Sequence, residues 1–184
     1  MNDAIDFRKR AVAAIHQGPG VYALCDLDMS PVYVGQSSEG IRRRVSRHLT
    51  SARSDIVANK MIDIWEIAYV WAYPCDGDLD ALEAFLFHHF ADEGDTTLFN
   101  GSVPPRALIR PSQAPEPIIT QVLPDEDIAW RKKLSNRVAR QAQHFGALLD
   151  VFLSVKPEGH IARALEGHFT RLRLYHDCLQ EPFE

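Results

Sequence analysis

The sequence GVYALCDLDMSPVYVG at residues 20–35 decides the fold of this 184-residue chain. Two runs rich in β-branched and aromatic residues, 20–26 and 32–35, flank a turn-forming LDMSP segment, and this pattern predicts a β-hairpin. Gly20-Val21-Tyr22 opens the first strand and Tyr33-Val34-Gly35 ends the second, so each predicted strand carries a tyrosine. Tyrosines on neighbouring strands usually pack across the pair, and packing is the first interpretation of both.

An arginine-rich segment follows the hairpin directly, on a helix predicted from a cap at Ser37 or Ser38 to about Leu49. Arg44 and His48 are four residues apart and therefore share one edge of that helix. One interpretation is a solvated basic face with a packed histidine. The other is the rim of a cleft, where Arg44 binds a phosphate through its planar guanidinium and His48 donates to the phosphate or leaving group. The arginines of this segment, with no acid between them, are Arg42, Arg43, Arg44, Arg47 and Arg53.

A single acid stands out further along the chain. Residues 64–73 predict a third strand, and Asp78 is a good cap for a helix to about Phe90. Glu83 lies on the flank of the apolar stripe of that helix, where a carboxylate is partly removed from water and needs a cation, a metal or hydrogen bonds. A structural salt bridge to an arginine is one interpretation, and a role in a site with Arg44 and His48 is the other.

The C-terminal part predicts helices of a different kind. Six prolines between 104 and 124 predict an extended connector, after which helices are expected from Asp125 to about Val155 and from His160 to about Leu179. Both helices repeat apolar residues in steps of four and three, with polar breaks at Gln141 and His168, which predicts an antiparallel hairpin. Shorter helices are predicted at 5–16 and 55–63. A basic face is expected on the hairpin from Lys133, Arg137 and Arg140.

Composition sets broad limits on function. The chain is 46% hydrophobic and has no apolar run of about 20 residues, so no membrane span is expected. The acidic N-terminus lacks the apolar core of a signal peptide, and three widely spaced cysteines match neither a zinc site nor a disulfide framework, which predicts a reducing cytoplasm. The formal net charge of −5 weakens long-range attraction to nucleic acid, but local basic clusters can still hold a phosphate backbone.

Taken in order, these motifs resemble the GIY-YIG nuclease superfamily over roughly residues 18–105. The matching elements are GVY at 20–22, YVG at 33–35, IRRRVSRHL at 41–49, LEAFLFHHF at 82–90, and Asn100. The resemblance implies a small three-stranded antiparallel sheet flanked by helices, in the α/β (α+β) class, to which the C-terminal α-helical hairpin is added. We therefore expect a nuclease domain at 1–103, a connector at 104–124 and a hairpin at 125–184.

The resemblance also implies roles for individual residues. Tyr22 would act as general base or orient the attacking water, and Tyr33 would support the site by hydrogen bonding. Arg44 would stabilise the phosphate, Glu83 would ligate a single Mg²⁺ or Mn²⁺, and Asn100 would order the site. His48 matches a family position that is often Tyr or His, and Gln36 stands where several members carry a lysine. The residues expected to contact the nucleic acid are Gln36, Arg42, Arg43, Arg47, Arg53, Lys133, Arg137 and Arg140.

The function expected from these assignments is a metal-dependent endonuclease that hydrolyses phosphodiester bonds in DNA. Two alternatives stay open. One is a non-catalytic nucleic-acid-binding or interaction module on the same scaffold, and the other is a nuclease directed at RNA. The hairpin is expected either to grip the DNA backbone or to form a homodimer through its apolar seam.

Overall fold

The structure is a computed structural model, which describes residues 2–51, 60–93, 97–106, 115–154 and 159–180. It is a mixed α/β fold with an antiparallel sheet and helices on both of its faces, which confirms the predicted fold class. In chain order the described elements are α1 (Asn2–Ala14), β1 (Gly20–Cys25), β2 (Pro31–Ser37), α2 (Ile41–Thr50), β3 (Tyr69–Pro74), α3 (Leu79–Glu93), β4 (Ile118–Gln121), α4 (Asp125–Lys132), α5 (Leu134–Ser154) and α6 (Gly159–Gln180).

The sheet has four strands in the order β2-β1-β3-β4, so the expectation of three strands is wrong. The fourth strand, β4, lies inside the segment predicted as a connector and pairs antiparallel with β3. Prolines at 117 and 124 flank it, which suits an edge strand because neither removes a hydrogen bond from the ladder. The proline content therefore obscured a four-residue strand rich in β-branched side chains.

Every residue of β1 is buried, because this strand lies between β2 and β3 and both of its faces are covered. Val21 faces a cluster formed with α3, including Leu86 and Phe87. Tyr22 and Leu24 face the opposite cluster, which contains α2 residues and also residues of the C-terminal helices. The alternation of side chains along one strand thus sends Tyr22 towards the arginine-bearing helix.

Two glycines of the opening motif are required by close packing. A Cβ on Gly35 would lie 2.5 Å from the phenol oxygen of Tyr22, which sits directly across the strand pair. Gly20 has a φ of 154°, and a Cβ there would overlap the carbonyl oxygen of Tyr73. The two motifs therefore place Tyr22 against a bare stretch of backbone.

Helix boundaries differ from the prediction in several places. Gly40 precedes α2 without a side-chain cap, so neither Ser37 nor Ser38 is the cap. Asp78 does cap α3, because its Oδ1 accepts from the Ala81 amide at 3.0 Å. The helix predicted at 55–63 falls largely outside the described residues, and residues 60–62 are turn and bend.

The C-terminal helix is interrupted at Lys133, where the backbone leaves helical geometry. The Asn136 side chain donates to the carbonyl of Trp130 at 2.8 Å and so satisfies the end of α4. Beyond the break, α5 and α6 pair as predicted, and the two polar breaks meet: Gln141 Nε2 lies 2.8 Å from His168 Nδ1. The sequence gave no sign that these two polar residues would satisfy each other.

The hairpin seam is filled within the chain. Leu148, Ile161 and Ala164 belong to the same hydrophobic cluster as Tyr22 and Leu24. Since burial of that seam already occurs against the sheet, the expected homodimer through the seam is not supported. The division of the chain into three segments stays a prediction.

Candidate active site

The candidate site lies beside β2, which is an edge strand of the sheet. From one side α2 brings Arg44 and His48, and from the other α3 brings Glu83. Tyr22 and Tyr33 are diagonal neighbours, because Tyr22 pairs with Gly35 and Leu24 with Tyr33. Residues from four elements that are far apart in the sequence are therefore brought together at one strand edge.

Tyr22, Tyr33 and His48 form an aromatic cluster at the centre of the site. The Tyr22 hydroxyl lies 2.8 Å from Nε2 of His48. The three ring centroids are 5.9 to 6.3 Å apart. Tyr22 is completely buried and His48 is only 3% exposed, so His48 sits behind Tyr22. A direct hydrogen bond from His48 to a phosphate is therefore not supported, and its partner in this structure is the phenol.

The protonation of this pair follows from its surroundings. Burial raises the pKa of Tyr22 well above its ordinary value; Tyr33 adds to the rise and Arg44 opposes it. Burial, together with the positive charges of Arg44 and Arg47, lowers the pKa of His48 to about 3. Near neutral pH the tyrosine therefore carries its proton and the histidine is neutral. A neutral imidazole nitrogen can accept the hydrogen bond that the phenol donates.

Arg44 stands at the centre of the site's electrostatics. Its positive charge acts on the pKa values of Tyr22, Tyr33, His48 and Glu83, which places it near all four. Its Nε is buried and has no hydrogen-bond partner among the described residues. An unpaired buried donor is costly, and a ligand with acceptor oxygens would satisfy it.

Glu83 is held by a residue outside the predicted catalytic set. Gln36 Nε2 donates to Glu83 Oε2 at 3.1 Å and to Asp80 Oδ1 at 2.5 Å. Burial raises the pKa of Glu83, and nearby Asp80 adds to the rise, whereas the hydrogen bond from Gln36 and the charge of Arg44 lower it. Gln36 thus contacts the acid directly, where the sequence predicted only a contact to nucleic acid.

The donor set around Glu83 fits a hard divalent cation. Among the described residues, no group of three or more His, Cys, Asp or Glu side chains could hold a metal ion. A half-buried carboxylate beside Asp80 suits Mg²⁺, which keeps several of its waters, better than zinc, which takes a nearly complete shell of protein ligands.

Asn100 fastens the edge strand that carries the second tyrosine. Its Oδ1 accepts from the Val34 amide at 3.0 Å and its Nδ2 donates to the Val34 carbonyl at 2.7 Å. The neighbouring Phe99 amide donates to Val32 at 2.7 Å. Asn100 therefore replaces a strand partner along β2, between Tyr33 and Gly35.

Phe99 in turn is held by α6, a contact that the sequence analysis missed. The Phe99 ring stacks on His168 at 4.1 Å with an interplanar angle of 15°. A Cβ on Gly167 would approach that ring to 2.7 Å, so the helix needs a glycine there. His168 is itself fixed by the Met61 carbonyl at 2.9 Å from Nε2. A glycine one residue before a polar break in an apolar seam was the available signal.

The remaining arginines of α2 line a cleft next to the site. This cleft has a volume of about 740 Å³, and its walls include Gln36, Arg43, Arg44 and Arg47. Arg43 and Arg47 are exposed, and Arg43 pairs with Glu39 at 3.1 Å. Arg42 donates to the Ala13 carbonyl at 2.8 Å. Arg53 lies outside the described residues.

The second predicted basic cluster is not a surface. Arg137 is buried and pairs with Asp26, Asp28 and Glu66, and Arg140 pairs with Glu66. Only Lys133 is exposed. The expectation of a basic face from Lys133, Arg137 and Arg140 is wrong, because acids from the sheet domain neutralise the two arginines inside the protein.

Comparison with known proteins gives one match. The family model of the GIY-YIG catalytic domain matches residues 18–95, which confirms the resemblance predicted from the motifs and indicates a nuclease-type domain that acts on nucleic acid. GIY-YIG nucleases generally use divalent metal ions. Comparison with curated proteins and with solved structures gave no significant match. None of the described helices has the length and apolar character needed to cross a membrane.

Proposed function

We propose that the chain is a metal-dependent endonuclease that hydrolyses phosphodiester bonds in DNA. The observation that carries this proposal is the convergence of Tyr22, His48, Arg44 and Glu83 at one edge of the sheet, next to an arginine-lined cleft. Tyr22, Tyr33, Arg44, His48, Glu83 and Asn100 are the residues to which we assign catalysis.

Arg44 binds the scissile phosphate in this proposal. Its buried, unpaired Nε and the adjacent Nη atoms present a fork that matches two oxygens of a phosphate. Because charge increases on the phosphate oxygens as the attacking group approaches, this contact is stronger in the transition state than in the ground state.

Tyr22 and His48 move the proton of the attacking water. Tyr22 is protonated in the free protein, so it serves as a base only if its own proton leaves at the same time. Nε2 of the neutral His48 is in place to accept that proton at 2.8 Å. The phenol oxygen then takes the proton of the water, and no free phenolate is formed. Tyr33 packs against both rings and limits their movement.

Glu83 would hold the divalent ion, with Gln36 fixing the orientation of its carboxylate. A bound Mg²⁺ or Mn²⁺ supplies stabilisation of the charge that develops on the phosphate and the leaving oxygen. Asn100 acts at a distance from the phosphate, by keeping the backbone of β2 in register beside Tyr22.

The test is cleavage of supercoiled and linear DNA by the wild type, Glu83→Gln and Arg44→Ala, with and without Mg²⁺ or Mn²⁺. We expect cleavage that needs the metal and that both substitutions abolish, while circular dichroism shows the variants folded. Binding of DNA without cleavage under any metal would refute the nuclease proposal. A matched RNA substrate in the same assay separates a DNA nuclease from an RNA-directed one.

One observation favours a second candidate, a non-catalytic module on this scaffold. Tyr22 is completely buried, so water reaches its hydroxyl only if a neighbouring group moves. Soaking-independent evidence comes from solvent exchange: in a nuclease, adding DNA and metal changes the ultraviolet absorbance or fluorescence of the site tyrosines. A Tyr22→Phe variant that cleaves like the wild type would favour a role for Tyr22 in packing alone.

A further inference from the structure

We propose that α1 extends the substrate track and that this track binds the phosphate backbone of a duplex. The inference rests on the proposed function and adds a substrate class and a surface to it. The surface lies partly outside the segment that matches the family model, because α1 spans Asn2–Ala14 and the match begins at residue 18.

Two clefts run side by side along α2. The first, next to Arg44, has a volume of about 740 Å³, and the second, between α1 and α2, about 560 Å³. Glu39, Arg43, Ser46 and Thr50 line both of them, so the two clefts adjoin along one face of α2. A strand whose phosphate is bound at Arg44 therefore has a continuous path past Arg43 towards α1.

The wall contributed by α1 is fixed against α2 before any ligand arrives. Arg42 donates through Nη1 to the carbonyl of Ala13 at 2.8 Å, and its backbone amide donates to His16 at 3.0 Å. The Ile41 amide donates to Gly18 at 3.0 Å. Binding in a preformed groove costs less conformational entropy than binding that must order a loop.

The charge along this path is positive although the chain as a whole carries −5. Lys9, Arg42 and Arg43 line the second cleft together with a single acid, Glu39. Glu39 and Arg43 pair with each other at exposed positions, and Lys9 pairs with Asp6 at 3.6 Å in the same way. Exposed pairs of this kind are worth little, so both cations can exchange a carboxylate for a phosphate.

The chemistry of the walls favours a duplex over a single strand. Lysine, arginine, serine and threonine side chains line the clefts, and these are the groups that contact phosphates and sugars. No aromatic ring is among the described residues that line either cleft. Proteins that hold single strands usually stack the bases on aromatic side chains, and this surface offers none.

The experiment measures binding of a short fluorescein-labelled DNA duplex, and of each of its strands, to the full chain carrying Glu83→Gln. Fluorescence anisotropy is recorded over a series of salt concentrations. Lys9→Glu is added to this background and compared with Arg173→Glu, a matched control. Both residues are exposed on helices and pair with an acid in the same helix, but Arg173 lies on α6.

We expect Lys9→Glu to weaken duplex binding about tenfold and to lower the slope of log Kd against log salt by about 0.9, the value for one lost phosphate contact. Arg173→Glu should leave both unchanged. Equal binding by the two charge variants would overturn the role of α1, and tighter binding of the single strands would overturn the duplex assignment. Absence of DNA binding by every variant would instead refute the proposed function itself.

Discussion

The two arginine clusters of this chain look alike in the sequence and differ completely in the structure. Arg43, Arg44 and Arg47 on α2 face an open cleft. Arg137 and Arg171 of the C-terminal helices are buried at 7% and 4% exposure and pair with acids of the sheet domain. The difference teaches that a basic run becomes a ligand surface only where the fold supplies no internal acids to neutralise it.

Asp26 explains why the second cluster is internal. Its Oδ1 accepts from the amides of Asp28 and Ser30, which shapes the turn of the opening hairpin, and its Oδ2 pairs with Arg171. One carboxylate therefore joins the turn of the GVY–YVG hairpin to α6. The site arginines on α2 have no such acid, apart from Glu39 at the surface and Glu83 across the site.

The largest effect is expected from Arg171→Ala, which should lower the free energy of unfolding by about 3–5 kcal/mol because it leaves Asp26 buried without that partner. Urea denaturation followed by circular dichroism measures the change. Arg47→Ala, at an exposed position, serves as the control and should stay within about 0.5 kcal/mol of the wild type. If both variants were equally stable, the two clusters would not differ in the way described above.

Arg44→Ala is expected to give the opposite result. We expect the cleavage rate to fall about 10²–10³-fold, as on loss of one preorganised donor to a developing charge. The free energy of unfolding should not decrease by more than about 0.5 kcal/mol, since the substitution removes an unpaired buried donor. Rate and stability are measured on one preparation. Arg44→Lys, which keeps the charge without the fork, should recover only part of the rate.

Gly167→Ala tests whether the C-terminal helices support the site through Phe99. The added Cβ would meet the Phe99 ring at 2.7 Å, and such overpacking costs about 1–3 kcal/mol. Because Phe99 precedes Asn100, we also expect kcat to fall more than the KM for DNA changes. Gly146→Ala on α5 is the matched control, since nothing lies within 4 Å of its added Cβ. An unchanged kcat in a folded Gly167→Ala protein would argue against this support.

The smallest effect is the dependence of stability on acid. The pKa values of His48 and His168 are lowered to about 3, mainly by burial, so the folded protein keeps both neutral while the unfolded chain binds protons below its pKa of 6.5. Stability should therefore fall as the pH decreases from 6.5 towards 3, with each histidine adding at most about 1.4 kcal/mol per pH unit. Replacing His168 by Asn should flatten this dependence, whereas replacing the exposed His176 should not. Denaturation at a series of pH values measures it.

Much of the local structure could be predicted from the sequence. The hairpin, α2, the cap of α3 at Asp78 and the pairing of the two long helices all follow from patterns within about 20 residues, because periodicity and capping are local properties. The order of the motifs also identified the nuclease-type domain that the family model matches at 18–95. The roles of the six catalytic residues stay predictions.

Other features depended on contacts between distant residues. The strand β4 could not be separated from a proline-rich connector, because its assignment rests on pairing with β3. The ion pair of Asp26 with Arg171 spans 145 residues of sequence, and no local pattern indicates which arginine will meet which acid. The same holds for Gln36, whose contact with Glu83 became visible only when β2 and α3 packed together.

The sequence by itself determined the secondary structure, the nuclease-type domain and the set of residues that could carry its chemistry, because these follow from local periodicity and from an ordered set of motifs. The tertiary structure alone decided which basic cluster faces the solvent, which proton partner Tyr22 has, and how α6 supports Asn100 through Phe99. The physical reason is that charges and hydrogen bonds are satisfied by whatever the fold brings within a few ångströms, and that neighbourhood is set by the packing of the whole chain.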